Sequence, residues 1–158
     1  MKKQEKTNVM RLLDQQGIVY ESHCYEGTGA VSGAEVAQVL GQDPDRVFKT
    51  LVTEGKSGQH YVFVIPVLSE LDLKKAAAAA GEKSIAMVKS KELLPLTGYV
   101  HGGCSPIGMK KPFPTFVEES AILFDRILFS AGKIGYQVEL APEELGKLTP
   151  FQYADLCE

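Results

Sequence analysis

Between Val100 and Thr115 the chain reads Val-His-Gly-Gly-Cys-Ser-Pro-Ile-Gly-Met-Lys-Lys-Pro-Phe-Pro-Thr. Three glycines, three prolines, a thiol, a hydroxyl and two adjacent lysines sit there between apolar runs, and neither helix nor strand propensity accounts for them. Paired Gly102 and Gly103 let a backbone approach a ligand and aim N–H groups at it, with Lys110 and Lys111 supplying positive charge nearby. A solvated surface loop has the same composition, so this stretch alone leaves both readings open.

A second chemical signal lies upstream, in Val47–Thr53. Alternation puts Val47, Lys49 and Leu51 on one face of a strand and Phe48, Thr50 and Val52 on the other. Both faces are apolar, so the Lys49 ammonium must either snorkel to an edge or meet an anion.

Other arrangements can be tested in turn. His23, His60 and His101 form no metal-ligand spacing with one another or with Cys104, and neither a metal nor a cofactor is expected. Cys104 three residues after His101 invites a thiol nucleophile, but a lone cysteine is more often a small buried hydrophobe. The glycines from Gly102 to Gly108 make no phosphate loop, because the lysines come too late and no helix follows. What remains is a site of backbone donors, Lys49, and hydroxyls at Ser105 and Ser130, without an obvious protein nucleophile. Such a site can position a reactive ester and stabilise its oxyanion while water or the substrate itself attacks.

The elements that must hold these groups follow from pattern. Val9, Leu12 and Leu13 mark an opening helix ended by Gly17, and Ile18–Tyr25 reads as a strand. Ser32-Gly-Ala-Glu35 is a capping box for a helix closed by Gly41, and Asp43-Pro44 starts another helical turn. Val47–Thr53 returns through a turn at Glu54–Gly58 into Tyr61–Pro66, which predicts a hairpin. Ser69–Ala80, capped by Asp72 and stopped by Gly81, is a helix; Ile85–Val88 is a short strand, and Lys91–Leu94 a helical turn before Pro95. Phe116-Val117 and Ala121–Phe124 are short apolar pieces. Ile127–Ser130 and Tyr136–Leu140 are strands around the glycine turn ending at Gly135; Pro142 opens a helix, and Phe151–Leu156 adds a last helical turn.

The 158 residues, 44% hydrophobic and 23% charged, describe a soluble globular domain. No apolar run approaches the ~20 residues that span a bilayer, and the polar start Met-Lys-Lys-Gln-Glu-Lys has no apolar signal core, so a cytoplasmic protein without membrane contact is expected. Three widely spaced cysteines fit reduced thiols. A net charge of −3 argues against holding nucleic acid by general electrostatics. Lysines nevertheless dominate residues 72–111 while residues 138–158 are acidic, which permits a local basic face.

Taken together, Tyr25, Phe48-Lys49-Thr50-Leu51, Leu71-Asp72-Leu73-Lys74-Lys75, Thr97-Gly98-Tyr99-Val100-His101-Gly102-Gly103, Ser105-Pro106-Ile107-Gly108 and Lys110-Lys111 closely resemble the YbaK/EbsC family. Its members are the free-standing relatives of the bacterial prolyl-tRNA synthetase editing domain. The resemblance runs in order over nearly the whole chain. It implies a single α/β domain over residues 1–158, with a mixed, strongly curled, barrel-like β-sheet flanked by helices. It further implies a trans-acting deacylase that hydrolyses cysteinyl-tRNA mischarged on proline tRNA, beside prolyl-tRNA synthetase and without a metal. By the same resemblance, Lys49 is the essential lysine at the acylated tRNA end and Gly102 the glycine whose backbone addresses the aminoacyl carbonyl. Tyr25, Thr50, Gly103, Ser105, Ser130 and Gln137 would contact substrate, and the substrate's own thiol would attack its ester.

Gln137 stands where the family commonly has an Asp in Gly-x-Asp-x-Glu-Leu; an amide hydrogen-bonds but cannot hold an ammonium as a carboxylate does. A deacylase for another small amino acid such as alanine is therefore the first alternative. A non-catalytic module gripping the tRNA acceptor end or the synthetase, and a thiol enzyme using Cys104, are the others.

Overall fold

The β2–β3 hairpin is the centre of the molecule, and its side chains divide cleanly by strand period. In the computed structural model, which describes residues 6–158, β2 (Phe48–Gly55) pairs antiparallel with β3 (His60–Pro66) from Phe48↔Pro66 to Glu54↔His60. Val62 and Val64 face one hydrophobic cluster, with Phe48 and Val52, while Tyr61, Phe63 and Ile65 face another. Both faces of β3 are therefore buried, which its continuous apolar run requires.

On one side the hairpin is covered by α3 (Leu73–Ala80), whose Ala76 and Ala77 pack against Phe63 and Ile65. Asp72 caps that helix by accepting from the N–H groups of Lys74 and Lys75, so it starts four residues later than the pattern predicts. On the other side lie α1 (Asn8–Gln15), through Val9, Met10 and Leu13, and the strands β1 (Glu21–Cys24), β6 (Ile127–Ser130) and β7 (Tyr136–Leu140).

Two sheets result. One has the order β1-β7-β6, all antiparallel; the other has the order β4-β2-β3-β5-β8 and is mixed, with β4 (Ile85–Met87) antiparallel to β2, and β5 (Thr115–Glu118) parallel to both β3 and β8 (Phe151–Ala154). The expected mixed α/β architecture is present, its strands divided between two sheets that are joined, among the described residues, through one parallel bridge, Val47↔Leu128.

Two local expectations are corrected, and one segment without an assigned element acquires one. Phe151–Leu156 is not a helical turn: Phe151 and Tyr153 alternate toward the core and meet edge to face at 5.0 Å, and Phe151–Ala154 adds a parallel strand to β5. The helical turn expected to stop before Pro95 is α4 (Ser90–Thr97), which passes through the proline and ends at Gly98. Proline there removes one backbone donor, and Thr97 Oγ1 anchors the last turn by donating to Leu93 O at 2.8 Å. Of the apolar piece Ala121–Phe124, Ala121–Leu123 belongs to a 3₁₀ turn, Glu119–Leu123, started by Glu118, and Phe124 is extended. The capping box of α2 (Gly33–Val39) and the turn Pro44–Arg46 capped by Asp43 form as expected, and α5 (Pro142–Leu145) starts at its proline.

Candidate functional site

Between β4 and the Val47↔Leu128 bridge, one edge of β2 has no strand partner among the described residues. β4 pairs only with Thr53, Glu54 and Gly55, so the stretch Phe48–Leu51 presents one side of its backbone, together with side chains from both faces, to open space. A cavity of about 550 Å³ lies there, within the usual range for small-ligand sites. Its walls come from both sheets: Phe48, Lys49, Thr50 and Val52 from β2, Ser130 from β6, Gln137 from β7 and Tyr25 just past β1. The α2 N-terminus, Val67, Met87–Ser90, and His101, Gly102 and Cys104 complete it.

Lys49 has no hydrogen-bond or ion-pair partner among the described residues, although it is only partly exposed. Thr50 Oγ1 is sealed from solvent without a partner. A buried hydroxyl with no bond made costs free energy, and Thr50 is one of the residues that line the cavity.

The opening loop contributes less than its composition promises. Gly102, at φ +89°, occupies backbone space that L side chains rarely adopt, and its N–H donates to no group among the described residues. Gly103 does not line the cavity: its N–H is spent on Val100 O at 3.0 Å, and its Cα lies so close to the turn at Lys133–Ile134 that a Cβ would stand 3.1 Å from Ile134 N. Ser105 is fully buried outside the cavity, its Oγ accepting from Ile107 N–H at 3.3 Å. Both are therefore struts of the loop. Tyr99 braces the same loop by donating to Ile107 O at 2.5 Å, and burial pushes its phenol up to about 12. Lys110 and Lys111 are exposed and lie off the cavity.

Cys104 does line the cavity, but burial pushes its thiol up to about 12, so at neutral pH it is protonated and a poor nucleophile. Ser130 Oγ accepts from Gly132 N–H at 3.1 Å, which fixes its direction. Tyr25 N–H donates to Gly135 O at 2.8 Å, so the glycine turn seats the tyrosine.

Sequence reasoning missed two parts of the wall. Gly33 lets α2 approach Val67 so closely that a Cβ would meet Val67 Cγ1 at 2.5 Å. The bare β2 edge depends on where β4 stops, which no local pattern records. Histidine spacing also gave no sign that β1–β7 pairing brings Glu21, His23 and Glu139 within 4.8 Å of one another. That trio lies outside the cavity and is already balanced: Glu139 accepts from His23 at 2.8 Å and Arg46 at 3.2 Å, and Arg126 pairs with Glu21 at 3.4 Å.

Residues 28–148 match the model of the aminoacyl-tRNA editing domain. The chain belongs to that family. Among relatives of this editing domain, the chain is 47% identical to the Enterococcus faecalis protein named "Putative Cys-tRNA(Pro)/Cys-tRNA(Cys) deacylase EbsC", over 98% of this chain and 95% of that one. It is 28% identical to a Proline--tRNA ligase of Shouchella clausii, over 75% of this chain and 21% of the ligase. A crystal structure described as a "putative trans-editing enzyme for prolyl tRNA synthetase" superposes with a TM-score of 0.84 at 28% identity, covering 95% of this chain and 94% of that one. The editing-domain assignment covers the cavity and every candidate residue except Tyr25.

Proposed function

We propose that the chain, taken over residues 1–158 as one editing domain, is a trans-acting deacylase that hydrolyses Cys-tRNA(Pro). The observation that carries this reading is the pairing of an unpartnered lysine with a free glycine N–H across a largely apolar cavity. Lys49 attracts the phosphate and ester oxygens of the acylated tRNA end, and the Gly102 N–H donates to the aminoacyl carbonyl as it becomes an oxyanion. Ser130 Oγ and the Thr50 side chain on the cavity wall orient the sugar and acyl group, and Tyr25 walls the acyl pocket.

The nucleophile in this reading is the cysteinyl thiol of the substrate. Its sulfur bonds the ester carbonyl carbon, the carbon–oxygen bond to the tRNA breaks, and the thiol proton passes to the departing ribose hydroxyl. The thioester so formed is then hydrolysed by water. The raised thiol of Cys104 is consistent with this division of labour. Partners in this reading are the acceptor end of mischarged tRNA and prolyl-tRNA synthetase, in the cytoplasm. Among the described residues no helix is long and apolar enough to cross a membrane. The same reading treats the two bridged sheets as one strongly curled, barrel-like surface around the cavity, an inference supported by the Val47↔Leu128 bridge.

Purified protein should release cysteine from cysteinyl-tRNA(Pro), and Lys49→Ala should abolish that release. Release no faster than in buffer, across a panel of mischarged tRNAs, overturns the reading. The amide of Gln137 favours one second reading, a deacylase for another small amino acid such as alanine, and the same panel separates the two.

A further inference from the structure

Gln137 is 5% exposed and forms part of the cavity wall. Its Oε1 accepts from Gln42 Nε2 at 2.9 Å. Gln42 is itself fixed, because its backbone N–H donates to Ala37 O at 2.8 Å, and its Oε1 is buried without a partner. The opposite orientation of the two amides would bury an unpaired NH₂ group in place of that carbonyl oxygen, and orphaned donors are the rarer and costlier case. With its carbonyl engaged, Gln137 has only the Nε2 donors left. Nε2 has no partner among the described residues and is not sealed off as Gln42 Oε1 is.

The charge around that amide is one-sided. Lys49, Lys89 and His101 line the cavity, and no aspartate or glutamate does. The acids nearest in sequence to the walls are engaged elsewhere. Glu35 accepts from Ser32 N–H at 3.1 Å, Glu92 from Lys89 N–H at 3.3 Å, Glu26 from the Tyr136 hydroxyl at 2.6 Å, and Glu139 from His23 and Arg46. A ligand ammonium entering here meets two ammoniums and an amide NH₂ with no anion to receive it. An uncharged amine or a hydroxyl, in contrast, can accept from Gln137 Nε2.

We propose that this cavity selects acyl esters whose α-substituent is uncharged, a deprotonated amine or a hydroxyl. In this proposal Gln42 is the positioning residue that sets the choice by keeping the Gln137 carbonyl out of the cavity. The inference rests on the deacylase reading and specifies its substrate class.

The test uses the full chain and two esters of the same proline tRNA, cysteinyl and its 2-hydroxy-3-mercaptopropionyl counterpart, which differ only in amine against hydroxyl. At about pH 6.5 an α-amine of ordinary pKa is mostly protonated, so the wild type should favour the hydroxy ester in kcat/KM by about fivefold or more. Gln137→Asp should invert that preference by supplying an anion. Gln42→Ala should bring the ratio to within about twofold of unity, because the freed carbonyl can then turn toward an ammonium, whereas a purely structural role would lower both rates together. Should Gln42→Ala fail to fold, Gln42→Glu keeps the side-chain length, accepts from Gln137 Nε2 and should likewise shift the ratio toward the ammonium ester. A wild type that favours the aminoacyl ester, or Gln42 variants with the wild-type ratio, overturns this proposal alone. Release from neither ester overturns the deacylase reading together with it.

Discussion

Gln137 and Glu139 are two residues apart on β7 and point to the same face, yet one lines the cavity and the other does not. Glu139 is saturated: His23, opposite Gln137 on β1, and Arg46 from the turn after α2 take its two oxygens. Gln137 has one oxygen held and its nitrogen unspent. The same contrast separates Lys49 and Thr50, whose side chains have no polar partner among the described residues, from Ser105 and Gly103, whose polar groups are committed within the loop. Polar groups that the fold has already satisfied hold the structure, and those left unspent beside a cavity are available for chemistry.

That distinction is broken or sharpened most strongly at Lys49. Lys49→Ala should lower deacylation of cysteinyl-tRNA(Pro) by about 100-fold or more while leaving the far-ultraviolet circular dichroism unchanged. A variant within a few-fold of wild type would place Lys49 with the structural groups. Next is Gly102→Val: a β-branched residue at φ +89° forces the loop to move, and kcat should fall roughly tenfold while the melting transition drops by only a few degrees. On the structural side, Glu139→Ala strips Arg46 and His23 of their carboxylate. Denaturant titration should record a loss of roughly 1–2 kcal/mol, and deacylation should stay within about twofold.

The smallest effect is expected at Cys104. Its thiol ionises near 9.0 when unfolded and near 12 when folded, so the folded state binds the extra proton between those values. Stability contributed by the thiol is therefore full below pH 9 and declines toward pH 12. Cys104→Ala should flatten part of that alkaline decline and leave deacylation within about twofold at neutral pH. Loss of activity in this variant would restore the thiol enzyme.

The lysine was legible in the sequence because a charge on a strand with two apolar faces contradicts its surroundings. The β2–β3 hairpin, the capping boxes and the alanine helix were legible because turn and cap chemistry is local. That Ser105 and Gly103 lie off the cavity was not legible, because a Gly/Pro-rich loop carries the same composition whether its polar groups aim outward or brace one another. β8 was missed although Phe151 and Tyr153 alternate, since four residues are too few to separate strand from turn before the partner β5 is known. Gln42 offered no signal: its role exists only because Gln137, 95 positions away, is brought to it.

The single bridge between the sheets has a mechanical consequence. Lys49 and Thr50 ride on one sheet and Gln137 and Ser130 on the other, and Val47↔Leu128 is the only backbone pairing among the described residues that ties those two bodies together. Beneath it sits a cluster of Ala37, Val47 and Leu128, with Val67 against it. The gap between the two halves of the cavity is thus set beside a shim of small aliphatic side chains, and bulk added at Ala37 presses on the joint between the sheets without touching a polar group of the walls.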